Sequence, residues 1–157
     1  MKIRSDFVTN SSSSSFILGF KSEKDIEKTL RQDKCYEYFE RIYDDCVEAD
    51  KMDMNQMLAI AREEIEWNVK FDVKYYSDKA RSMSWEEVNK WTKTEEFEEM
   101  VEEEIQRRLN EMKIKSEEQG DQVFVDIRYE DGTLSDSELE HEIVPNLKCC
   151  IRRFSHH

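Results

Sequence analysis

Between Glu95 and Glu104 the chain carries seven glutamates, Glu95, Glu96, Glu98, Glu99, Glu102, Glu103 and Glu104, followed by Arg107, Arg108, Lys113 and Lys115. On an α-helix, carboxylates three or four residues apart recur every ~4.5–6 Å, close to the charge repeat of a nucleic-acid strand. The chemistry on offer is electrostatic recognition: Glu95, Glu98, Glu99, Glu102 and Glu103 would compete for the nucleic-acid-binding surface of a basic protein. The plainer reading is a solvated face, acids near the positive end of the helix dipole and cations toward its negative end. Trp85 and Trp91 lie just upstream. Tryptophan is enriched in interface hot spots, so either one exposed beside the acidic helix belongs to the same partner-binding set. Trp67 reads as a core or interface anchor. A second acidic stretch, Glu117 to Glu142, includes Glu130, Asp131, Asp136, Glu138, Glu140 and Glu142 with Arg128 as the local counter-charge.

The three histidines, His141, His156 and His157, all fall within the last 17 residues. Together with Glu138, Glu140, Glu142, Cys149 or Cys150 they could complete a four-coordinate zinc set, and zinc is the one candidate cofactor. The spacing matches no standard site. His141-Glu142 lacks the second histidine of HExxH, and Pro145 would break the helix that motif requires. The five serines Ser11 to Ser15 have no GxSxG or SxxK context, so they do not read as a nucleophile site. Ser11, Ser12 and Ser13 with Arg152 and Arg153 form a candidate anion-binding group, hydroxyls and backbone amides being able to coordinate phosphate together. The structural alternative has the hydroxyls satisfying nearby backbone groups, and it is the favoured one.

The opening FVTNSSSSSF (Phe7 to Phe16) and the closing RRFSHH (Arg152 to His157) resemble the ends of a group of small, largely uncharacterised bacterial and prophage proteins. The resemblance covers about the first and last 20 residues and implies a family without implying an activity. It also implies that the terminal histidine pair is native.

Composition narrows the classes further. A chain of 157 residues is read as one domain, 1–157, long enough to bury a core. Its net charge of −13 and 39 % charged residues accompany 11 % aromatics, which describes a folded acidic protein and not a disordered one. At that charge phosphate is repelled, so direct nucleic-acid binding is disfavoured. Only Gly19, Gly120 and Gly132 are glycines, and none sits in GxGxxG or GxxxxGK[ST]. Ordinary ATPases, GTPases and dinucleotide oxidoreductases are therefore poor fits. No stretch reaches the ~20 apolar residues of a membrane span, and the N-terminal apolar run lacks a cleavage site, so the expected location is cytoplasmic. Cys35, Cys46, Cys149 and Cys150 form no Cys-x-x-Cys and read as reduced packing residues.

The elements that must position these groups follow from periodicity. Phe16 to Phe20, Val123 to Tyr129 and Leu147 to Phe154 read as strands, with a further strand over Met1 to Val8. Val69, Phe71, Val73 and Tyr75 alternate with Lys70, Asp72 and Lys74 and read as another, one face wet. Helices are expected around Ile26–Leu30, from Tyr36 to Glu48, from Asp53 through Ile65, from Ser84 through Trp91, from Thr94 through Met112, and around Leu139. Asp78–Met83 and Ser116–Asp121 read as connections. The sum is an α+β fold, a small sheet drawn from the N-terminal, central and C-terminal strands with about five helices on it. The apolar strands at the two ends should meet in that sheet. The functional expectation is a non-enzymatic acidic binding protein, a phage-type inhibitor or nucleic-acid mimic acting on a basic partner. A zinc-binding protein or zinc-dependent hydrolase is the alternative, and oligomeric state is left open.

Overall fold

The computed structural model describes residues 13–156, and the fold is α+β. Three strands, β1 (Ser13–Phe20), β2 (Val123–Glu130) and β3 (Cys150–His156), form an antiparallel sheet in the order β2-β1-β3. The N-terminal strand is thus central and pairs with the C-terminal one, Phe16 opposite Arg153 on one side and Ile127 on the other. A register shift at Ile17/Leu18 brings Leu18 opposite Cys150. β1 is buried along its whole length, as a central strand covered on both faces must be. The expected strand over Met1 to Val8 lies outside the described residues.

The chain divides into two compact units. The first runs up to Met57 and resumes at Lys115. One face of its sheet, with Phe16, Leu18, Phe20, Val125, Ile127 and Tyr129, packs with Ile26 and Leu30 of α1 (Ile26–Arg31) and Ile42 and Cys46 of α2 (Phe39–Glu48). Leu139, Val144 and Leu147 complete this core. They come from the segment between β2 and β3, where α7 (Leu134–Glu138) passes into a π turn (Leu139–Ile143) and a 3-10 turn (Val144–Asn146) holding Pro145.

The second unit, Leu58–Ile114, is helical throughout. Most of α3 (Met54–Tyr76) and α6 (Glu95–Gln119) belongs to it, with α4 (Asp78–Arg81) and α5 (Trp85–Trp91) between them. The starts of three helices follow local side-chain chemistry. Asp53 and Gln56 cap α3 reciprocally at 2.8 and 2.9 Å, Ser84 and Glu87 form a capping box on α5, and Thr94 Oγ1 accepts from the Phe97 amide on α6.

The structure differs from three of these expectations. Residues 69–75 are not a strand but the last third of α3; Asp78–Arg81 is a short helix; and α6 continues through Ser116 to Gln119. The first error has a geometric cause. Met57, Ala61, Ile65, Val69 and Val73, four residues apart, are the buried stripe of α3. Trp67, Phe71 and Tyr75 repeat the same spacing two residues out of step, about 200° around the helix. Two opposed apolar stripes place an apolar residue at every second position, which mimics the period of a strand.

Candidate partner-binding site

The second of those stripes is exposed. Trp67 is 68 % accessible, Phe71 42 % and Tyr75 38 %, and Trp85, at the start of α5, is 61 % accessible. They form one continuous ladder. Trp67 stacks on Phe71 at 6.1 Å, Phe71 meets Tyr75 at 4.8 Å, and Tyr75 stacks on Trp85 at 6.1 Å. Tyr76, also exposed, contacts Phe71 at 5.9 Å. Lys74 places its ammonium 5.1 Å from the Tyr75 ring centre and 5.5 Å from that of Trp85, so this end of the ladder already accepts a cation.

Trp91 has the opposite fate. It is buried, packs edge-on against Phe97 at 5.1 Å, and carries the Lys79 ammonium 5.7 Å from its ring centre. Of the two tryptophans placed in the partner set by sequence, Trp85 is at the surface and Trp91 builds the interior of the helical unit. Helix α5 spans seven residues, about 10 Å, so it links the ladder to Phe97 in the first turn of the acidic helix.

On α6 the glutamates divide into two groups. Glu102 takes a bidentate guanidinium pair from Arg62 at 2.6 and 3.1 Å and a further bond from Gln106; these hold its carboxyl down at about 2. Glu104 is lowered to about 2 by Arg107 and then Arg108, and Arg108 also reaches Asp72 of α3 at 2.9 Å. Glu96 pairs with Lys79. These carboxylates brace the helical unit. Glu95, Glu98, Glu99 and Glu103 are exposed and make no ion pair among the described residues, which leaves their charge to the solvent. Glu102 therefore differs from the other four glutamates of the predicted set.

Three carboxylates of the second acidic stretch serve the sheet unit's own contacts. Asp136 binds Arg41 at 2.6 Å, Glu138 accepts from the Tyr38 hydroxyl, and Glu140 is fully buried. Glu140 sits in the π turn with an oxygen 3.1 Å from His141 Nε2, while Arg153 Nη2 lies 3.2 Å from His141 Nδ1. An arginine only donates, so Nδ1 accepts and Nε2 carries the proton toward Glu140. Both ring nitrogens of His141 are engaged.

The serine run meets a row of basic side chains. Ser13 Oγ accepts from Arg128 at 2.9 Å, Ser14 Oγ from Arg153 Nε at 3.0 Å, and Ser15 Oγ lies 3.1 Å from His156 Nε2. Of the anion-binding group, Ser13 and Arg153 are thus brought to the sheet but bonded to different partners, and Arg152 lies with its guanidinium 5.9 Å from the Phe154 ring centre. Ser11 and Ser12 lie outside the described residues, as does His157 of the histidine set. Among the described residues no group of three or more His, Cys, Asp or Glu side chains is arranged to hold a metal ion.

Sequence reasoning missed Phe71, Tyr75 and Tyr76 as surface residues. The available signal was the coincidence of a helical start at Asp53 with an uninterrupted run, free of glycine and proline, as far as Tyr76. Comparison with protein-family models, with curated proteins and with solved structures finds no match. Among the described residues no helix is long and apolar enough to cross a membrane.

Proposed function

We propose that the chain is a non-enzymatic binding protein whose helical unit docks on a basic partner, with the surface that partner otherwise offers to nucleic acid as the target. The observation that carries the reading is the exposed ladder Trp67–Phe71–Tyr75–Trp85. A folded chain rarely leaves four contiguous aromatic side chains in water unless something covers them. Aromatic rings of this kind supply the energetic centre of an interface, and unpaired charges around it supply steering. The unit holds fifteen acidic against ten basic residues, so the field it presents favours a cationic partner.

The test separates the two contributions. Partner captured on the immobilised full chain is measured against the wild type, Trp67→Ala/Trp85→Ala, and Glu95→Lys/Glu99→Lys. The aromatic pair should raise the dissociation rate, and the charge reversals should lower the association rate. Binding that survives both changes unaltered would remove this surface from consideration.

A further inference from the structure

The sheet unit contains a feature independent of the aromatic surface. A cleft of about 380 Å3 opens beside the end of β1, flanked by α1 and by the segment that leads into β3. Its volume suits a small organic molecule. Lys21, Lys28 and Lys148 line it; all three are exposed, and their ammonium groups form no ion pair among the described residues. Set against Asp25 and Asp121 in the same lining, the three ammonium groups leave the cleft net positive in a chain whose net charge is −13.

The wall of the cleft holds Asp121, which is 8 % accessible and whose Oδ2 is buried with no hydrogen-bond partner. Buried carboxylate oxygens are normally satisfied, so an orphan oxygen on a residue of the cleft wall marks a carboxylate short of a donor. The backbone is shaped around this group. A Cβ at Gly19 would come within 2.5 Å of Asp121 Oδ2, so only glycine lets the carboxyl lie against β1. The other acid in the lining, Asp25, accepts from the Ser22 hydroxyl at 2.7 Å.

We propose that this cleft binds a small phosphomonoester, with the phosphate held by Lys21, Lys28 and Lys148 and an N–H or O–H of the organic body donated to Asp121. A dianion matches three ammonium groups better than a single carboxylate does, and Phe20 and Cys149 give the body an apolar wall.

The experiment is a titration of the isotopically labelled full chain, followed by amide NMR, with ethyl phosphate and with O-phosphoethanolamine. Both should give saturable shifts confined to Gly19–Lys21, Thr29 and Lys148–Cys149. Phosphoethanolamine, which carries the donor for Asp121, should bind about fivefold more tightly. Lys28→Gln/Lys148→Gln changes only exposed side chains, so the unliganded spectrum should be preserved while affinity for ethyl phosphate falls about tenfold. Asp121→Asn, close in shape, should abolish the preference between the two ligands. Shifts scattered over exposed lysines of both units would overturn the proposal, as would a lysine double variant that binds like the wild type. Equal wild-type affinities for the two ligands would overturn the role given to Asp121.

Discussion

Tyr75 and Trp85 stack with ring centres 6.1 Å apart and planes 19° from parallel, joining α3 to α5 while both rings remain open to solvent. The contact closes a ladder that begins at Trp67. Because Trp67 and Trp85 are 68 % and 61 % accessible, their removal should be felt at a surface more than in the fold. Trp67→Ala and Trp85→Ala are each expected to change stability by less than about 1 kcal/mol and to weaken partner binding by about 2 kcal/mol or more. Urea midpoints and dissociation constants for the same two variants check this.

The two apolar stripes of α3 predict opposite responses to truncation. Val69 is fully buried, and Val69→Ala should cost about 1–3 kcal/mol; Phe71→Ala, though it removes more atoms, should cost less than about 1 kcal/mol. Chemical denaturation of both variants is the check. The reverse order would place the buried stripe on the wrong side of the helix.

Burial pushes the Asp121 carboxyl up from 3.8 to about 6, against the pull of Lys115 and Lys21. Its folded value lies above its unfolded one, so its stabilising contribution is complete below 3.8 and is lost as the pH rises through about 6. In phosphate-free buffer Asp121→Asn should therefore gain up to ~3 kcal/mol over the wild type at about pH 8 and gain almost nothing at about pH 3.5. Unfolding midpoints for the pair at the two pH values measure it, and a gain independent of pH would contradict it.

The four cysteines are free and buried. Burial pushes the Cys35 and Cys150 thiols to about 11, Cys46 to about 12, and Cys149 higher still. Since the thiolate is the reactive form, a thiol reagent at about pH 8 should label none of them in the native protein and all four in urea. Rapid labelling of any one without denaturant would show an opening that the packing around Leu30, Ile42 and Leu147 does not provide.

Much of this fold was legible because the local signals agreed with the packing. Phe16 to Phe20 and Val123 to Tyr129 read as strands and form them. Ser84 with Glu87 announced α5, and Asp53 the start of α3. The failures came where one helix carries two apolar stripes, Val69/Val73 and Phe71/Tyr75, whose sum has the period of a strand. Ser116 to Asp121 reads as a loop by composition, yet Ser116 is fully buried in the helix, which ends at Gly120 with φ +73°. Glycine in that left-handed position is a usual helix stop and was the better boundary marker. The acidic helix itself was legible, but not the division of its glutamates. Pairing of Glu102 with Arg62 on α3 depends on contacts between residues 40 apart in sequence.

That division decides the central test. Glu95, Glu98, Glu99 and Glu103 are exposed and unpaired among the described residues, whereas reversing Glu102 would also break its bonds to Arg62. The quadruple variant Glu95→Lys/Glu98→Lys/Glu99→Lys/Glu103→Lys should keep the wild-type circular dichroism spectrum. Its association rate with the partner should be lower by about tenfold or more at low salt. The difference should narrow as ionic strength rises and the screening length shortens to ~8 Å near physiological salt. Association rates of the two proteins at low and physiological salt are the direct measurement. Equal rates with no salt dependence would mean that this face of α6 is merely solvated and that the basic partner is not recognised here.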